Sequence, residues 1–176
     1  MCCCKKITQE EFANMNLLDL VEYLKKLPTK TLKDLRFSDL YQPENSCNGI
    51  YFITSPDHSK FYIGKASSRS VAERISPYFD SRRDAFFNSF LRNRLRDKSL
   101  EISSENLHLC YLESLDWQIS VLFIERNDET FKTLISFVES LLIYHFNRKY
   151  NNRCINGTNR RRDIDINSKF ITQLQR

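Results

Sequence analysis

Glycine is scarce in this chain: there are three in 176 residues, at positions 49, 64 and 157. A residue used so sparingly marks places where the backbone must bend or where another group must pass close to it. Apolar runs are short as well. None approaches the roughly 18 residues of a membrane span, and no secretory signal pattern is visible. A soluble, cytoplasmic (intracellular) protein with no membrane partner is therefore expected. The six cysteines, Cys2, Cys3, Cys4, Cys47, Cys110 and Cys154, include no C-x-x-C pair. Their spacing argues against a zinc site and against a disulfide framework, which leaves free thiols as the expected state. Position 2 is cysteine, where an N-myristoylation signal requires glycine. Acidic residues are missing altogether between Arg148 and Arg162, a stretch with six basic ones.

With 41% hydrophobic residues, the chain can form a single core and carry an appendage. Its net charge of +5 is modest but uneven. From Arg69 to Lys98, eight basic residues stand against four acidic ones. Both basic segments are interleaved with aromatics (Tyr78, Phe79, Phe86, Tyr150), as a phosphate-backbone footprint requires. Arg82 and Arg83 in the first segment, and Arg160, Arg161 and Arg162 at the end of the second, are the candidate phosphate contacts.

Residues 7–27 place Phe12, Met15, Leu18, Val21 and Leu24 at helical spacing, and a second short helix is expected from Thr31 to Leu40. Pro28 separates the two, and 43–48 reads as a loop. Residues 1–47 thus read as a helical extension. The runs 49–54 and 60–65, joined by Ser55-Pro56-Asp57-His58-Ser59, form a hairpin signal. Along it, Tyr51 and Ile53 face one way while Ile50 and Phe52 face the other. Ser70-Val71-Ala72-Glu73 has the form of a capping box and opens a helix carrying Arg74, which Pro77 should end or kink. A helix from about 83 to 96 follows, then strand candidates at 107–112 and 118–125. A long helix from Asn127 or Asp128 to about Asn147 has Phe131, Leu134, Ile135, Val138, Leu141 and Leu142 as its apolar stripe. Glu139 stands at the border of that stripe, where a poorly solvated carboxylate would be eased by a metal ion or a basic partner. His58 and His145 read as surface residues rather than ligands.

The two glycines of the hairpin fall in Gly49-Ile50-Tyr51 and Tyr62-Ile63-Gly64, with the tyrosines eleven residues apart. Arg74 comes ten residues after Gly64, Tyr78 four after Arg74, and Asn151 twelve after Glu139. This ordered set resembles the GIY-YIG nuclease family over about residues 48–156. Tyr62-Ile63-Gly64-Lys65-Ala66 followed by Arg74-Ile75-Ser76-Pro77-Tyr78-Phe79 looks most like the N-terminal incision domain of the bacterial UvrC repair nuclease. Arg74 and Glu139 are 65 residues apart, more than a minimal module of that family requires, so an insertion is expected at about 82–115.

The resemblance implies a small α/β (α+β) domain: a three-stranded antiparallel-type sheet flanked by helices, preceded by the extension at 1–47 and followed by a basic tail at 157–176. It also implies a DNA endonuclease that depends on Mg²⁺ or Mn²⁺, of restriction, repair or branched-DNA type. Phosphodiester hydrolysis needs an activated water and stabilised phosphoryl oxygens. Glu139 would hold the metal while waters and a phosphate oxygen complete its shell. Arg74, a fork-shaped permanent cation, would hold the scissile phosphate. Tyr51 or Tyr62 would act as general base or orient the water, with help in lowering a pKa that is ordinarily near 10. Lys65 and Tyr78 would touch the substrate, and Asn151 would tie the glutamate helix to the hairpin or contact the substrate backbone near the metal. A non-cleaving nucleic-acid-binding module on the same fold is the alternative.

Overall fold

The period-two alternation of the hairpin divides the molecule into two cores. Tyr51, Ile53 and Tyr62 bury into one, and Ile50, Phe52 and Ile63 into the other. A sheet apolar on both faces needs helices on both, which gives three layers. The computed structural model describes residues 3–40, 48–67, 69–82, 89–125, 131–149 and 154–156. Among these are the strands β1 (Cys4–Ile7), β2 (Lys30–Thr31), β3 (Gly49–Thr54), β4 (Phe61–Ala66) and β5 (Gln118–Ile124). The helices are α1 (Gln9–Asn14), α2 (Leu17–Lys25), α3 (Phe37–Leu40), α4 (Val71–Ile75), α5 (Ser89–Asp97), α6 (Ser104–Ser114) and α7 (Phe131–Lys149).

The sheet is mixed and five-stranded, ordered β1-β5-β3-β4, with β2 also paired to β5. β5 is central: β3 runs antiparallel along one side. On the other side β1 lies parallel against Val121–Ile124, and β2 antiparallel against Gln118 and Ile119. The first core packs α4, α5 and α6 through Val71, Ile75, Phe90, Leu91, Leu95, Leu107 and Cys110. The second packs α1, α2 and α7 through Phe12, Leu20, Val21, Leu24, Phe131, Ile135, Leu142 and Phe146. Each fully buried isoleucine or phenylalanine contributes about 1.5–3 kcal/mol. None of the helices among the described residues is long and apolar enough to cross a membrane.

The expected three-stranded sheet is thus enlarged by two strands from the segment read as a helical extension. β1 escaped notice because it is four residues long, with both lysines exposed and only its ends shielded. The helix expected over 7–27 is two helices. Thr8 caps α1 in a capping box with Glu11, and Asn16 restarts the chain by accepting from the Asp19 amide. The helix expected from Thr31 to Leu40 is broken into β2, a 3₁₀ turn at Leu32–Asp34 and the short α3. The strand expected at 107–112 is helical. Ser103 caps α6, which buries Leu107, Cys110 and Ser114 at helical spacing while Leu109 and Leu112 stay half exposed, so apolar residues on both faces hid the period. The capping box at Ser70 and Glu73 is present, and α4 ends at Ile75, where Pro77 enters a 3₁₀ turn, Ser76–Phe79.

Candidate active site

Tyr51 and Tyr62 project from neighbouring strands onto the first face of the sheet, and Tyr78 meets them from the 3₁₀ turn after α4. In the β3–β4 register Tyr51 lies opposite Gly64. Its ring covers that glycine so closely that a Cβ there would lie 2.2 Å from Tyr51 Cζ. The second glycine of the paired tripeptides is therefore the floor on which the first tyrosine lies. Gly49 has a different reason: a Cβ would stand 2.4 Å from the Leu122 carbonyl oxygen of β5.

Tyr78 Oη is the hub of the cluster, 2.5 Å from Tyr51 Oη and 3.0 Å from Tyr62 Oη. Tyr62 Oη also lies 2.9 Å from Ser89 Oγ at the start of α5. Phe90, the next residue, packs edge-on against the Tyr62 ring with centroids 5.3 Å apart. All three tyrosines are buried. Burial, followed by the neighbouring phenols, pushes the pKa of Tyr51 well above its ordinary value, and Arg74 opposes the rise. Burial also raises Tyr62 well above the ordinary phenol value, with Tyr78 adding to the rise and Ser89 opposing it. A phenol held protonated this firmly is a poor base in this arrangement.

The remaining charged residues gather at the end of β4. Glu139 occupies the middle of the buried stripe of α7, between Ile135 and Leu142, and is 7% exposed. Its Oε2 is 3.3 Å from Lys65 Nζ, on the second face of the sheet. Arg74 approaches the same residue from the other side, its Nε donating to the Lys65 carbonyl at 3.3 Å. Lys65 thus joins the two halves, its side chain to the carboxylate and its backbone to the guanidinium. The tyrosines and Glu139 are on opposite faces of the sheet around one edge strand, linked electrostatically: Glu139 is among the charges that raise Tyr62.

Asn156 closes the same edge. Its Oδ1 accepts from the Ile63 amide at 2.7 Å and its Nδ2 donates to the Ile63 carbonyl at 2.5 Å, so the side chain stands in for a neighbouring strand. Cys154 bridges Phe61 beside it, and the Ile155 amide donates to the Phe61 carbonyl at 2.7 Å. Asn156 and Ser89 were both missed in the sequence. Asn156 carries no local signal that sets it apart from Asn147, Asn151, Asn152 and Asn159 around it, and Ser89 precedes an apolar helical run.

Arg82 is exposed and forked onto Asp80, with Nε 2.9 Å from Oδ1 and Nη2 2.6 Å from Oδ2. Asn151, Arg83, Arg160, Arg161 and Arg162 lie outside the described residues. His58 is exposed in the hairpin turn at φ 53°, and His145 lies half-buried on α7. Among the described residues no three histidine, cysteine, aspartate or glutamate side chains converge as a metal cage. A lone buried carboxylate still fits magnesium, which binds through one or two carboxylates and keeps its waters and substrate phosphates. Among the described residues Cys3, Cys4, Cys110 and Cys154 form no disulfide with one another, and burial pushes Cys154 up to about 11. Comparison with protein-family models, with curated proteins and with solved structures gave no match.

Proposed function

We propose that this chain is a divalent-metal-dependent endonuclease of GIY-YIG type that hydrolyses DNA phosphodiester bonds. The observation that carries the reading is the convergence on Lys65 of a buried carboxylate, Glu139, and a guanidinium, Arg74, beside the tyrosine cluster. Glu139 would hold Mg²⁺ or Mn²⁺, which when bound supplies charge for the phosphoryl and leaving oxygens. Arg74 can turn its Nη groups to a phosphate while Nε stays on the Lys65 carbonyl. Lys65, displaced from the carboxylate by the metal, is free to contact a phosphate oxygen. Tyr62, or Tyr51 behind it, positions the attacking water. Tyr78 holds both phenols in place rather than touching substrate.

The test is incubation with plasmid, branched and single-stranded DNA, in Mg²⁺ or in EDTA. Glu139→Gln is expected to abolish nicking with DNA binding kept within about threefold, and Arg74→Lys to lose most of the rate. Neutralising Arg160, Arg161 and Arg162, or Arg82 and Arg83, is expected to flatten the salt dependence of binding by roughly 0.7–0.9 per lost phosphate contact. Mg²⁺-dependent cleavage by Glu139→Gln would place the metal elsewhere. The mutual satisfaction of the buried phenols and the Lys65–Glu139 pair favour a second reading, a nucleic-acid-binding module that does not cleave. DNA binding with no cleavage under any divalent cation would select it.

A further inference from the structure

Four hydroxyls meet on the first face of the sheet, and their contacts number four: Tyr51–Tyr78 at 2.5 Å, Tyr78–Tyr62 at 3.0 Å, Tyr62–Ser89 at 2.9 Å and Ser89–Tyr78 at 3.5 Å. Each hydroxyl has one proton to donate and lone pairs to accept with. Tyr51 is 1% exposed and its hydroxyl meets only that of Tyr78 in the cluster, so its proton points there; otherwise a buried donor is left unsatisfied. The other three form a ring that can run either way. In the order Tyr78 to Tyr62 to Ser89, both buried phenols donate across short contacts. The long contact then falls to Ser89, which is half-buried and can give its proton to water instead. In the reverse order buried Tyr78 would have to donate its only proton across 3.5 Å, so the first order costs less.

We propose that Ser89 is a positioning residue of this site: it accepts the Tyr62 proton and so orders the cluster from Tyr51 through Tyr78 and Tyr62 outward. Tyr62 Oη, accepting from Tyr78 and donating to Ser89, keeps one lone pair without a partner among the described residues. That lone pair is where a water molecule can be held. Ser89 reaches the cluster because α5 is seated by Phe90, whose ring packs on Tyr62, Tyr78 and Trp117 with centroids 5.3, 5.8 and 5.6 Å away. The stretch expected as an insertion at 82–115 therefore completes the hydroxyl network. Its consequence for turnover rests on the nuclease reading above; the proton order does not.

Ser89→Thr and Ser89→Val are nearly equal in volume and in helix propensity and differ in the hydroxyl, so their comparison separates hydrogen bonding from packing. The tyrosine doublet in the Raman spectrum reports whether a phenol donates or accepts, and subtraction against Tyr62→Phe in each background isolates Tyr62. A donor signature is expected in the native protein and in Ser89→Thr, and its loss in Ser89→Val. On Mg²⁺ and plasmid DNA, kcat of Ser89→Val is expected to fall roughly tenfold with KM within about twofold, and Ser89→Thr to recover most of it. An acceptor-only signature for native Tyr62 overturns the proton order. Equal kcat in the Val and Thr variants overturns the positioning role. A native protein that cleaves no DNA overturns the nuclease reading and the role of Ser89 in turnover, while the Raman arm still decides the order.

Discussion

Gly64→Ala is expected to destabilise the fold through Tyr51 and not through the backbone. A Cβ at 64 would lie 2.2 Å from Tyr51 Cζ, 2.3 Å from Oη and 2.4 Å from Cε2, against an ordinary carbon contact of about 3.5–4.0 Å. The ring cannot slide away cheaply. It is 1% exposed, held between Tyr62 and Tyr78, and tied by its hydroxyl to Tyr78. Overpacking a core site costs about 1–3 kcal/mol, and breaking the Tyr51–Tyr78 bond adds about 1 kcal/mol. A loss of roughly 2–4 kcal/mol follows, which at about 2–4 °C per kcal/mol lowers Tm by roughly 10 °C. Urea unfolding of Gly64→Ala, Tyr51→Ala and the double variant measures the coupling. In the Tyr51→Ala background the clash is gone, so Gly64→Ala should be neutral or stabilising by about 0.5 kcal/mol through reduced unfolded-state entropy. Gly49→Ala is the control, since its obstacle is the Leu122 carbonyl and no change at Tyr51 relieves it. Equal costs of Gly64→Ala with and without the Tyr51 ring would refute the reasoning.

Lys65→Met should cost about 2–4 kcal/mol by leaving the buried Glu139 carboxylate unpaired, toward the lower end of the range for buried pairs because the Lys65 side chain keeps 19% exposure. Lys65→Met with Glu139→Leu should recover most of that in urea unfolding, and a double variant no more stable than the single would argue against the pair. Asn156→Ala strands the Ile63 amide and carbonyl and should lose about 2–3 kcal/mol; Asn156→Asp keeps the acceptor but sets an oxygen against the Ile63 carbonyl, and hydrogen exchange at Ile63 reads both. Tyr51 and Tyr62 have folded pKa values above the unfolded one, so their contribution is fully present below about pH 10, where both states are protonated. Above that pH the unfolded state releases protons that the folded state keeps, and stability should fall by up to about 1.4 kcal/mol per pH unit for each tyrosine. Tyr51→Phe should remove one share of that slope, and an unchanged slope would count against the shift.

The hairpin and α7 were legible because their signals are local. Four consecutive residues, Ile50 to Ile53, alternate between two cores, and one apolar stripe runs through α7 from Phe131 to Phe146. Ser70 and Glu73 likewise announced α4 through a capping box that needs no partner beyond its own turn. The N-terminal strands were not legible, since Cys4–Ile7 becomes a strand only by pairing with Val121–Ile124, a partner that sequence periodicity at residue 4 cannot reveal. α6 was misread because its outer face carries Leu109 and Leu112, which erased the contrast on which a helical reading depends.

By itself, the amino-acid sequence determined which residue types the candidate site contains and where glycine is placed. Tyr51, Tyr62, Lys65, Arg74, Tyr78 and Glu139 are the candidates that the motif resemblance singles out. Tertiary structure alone decided how they are grouped. Side chains alternate across a strand, so Tyr62 and Lys65, three residues apart on β4, point to opposite faces, and the phenols and the carboxylate are brought to the two sides of one edge strand. Tertiary packing also decided that Asn156 caps that edge and that Ser89 enters the phenol cluster, because both contacts join residues distant in the chain through hydrogen bonds that no local pattern encodes.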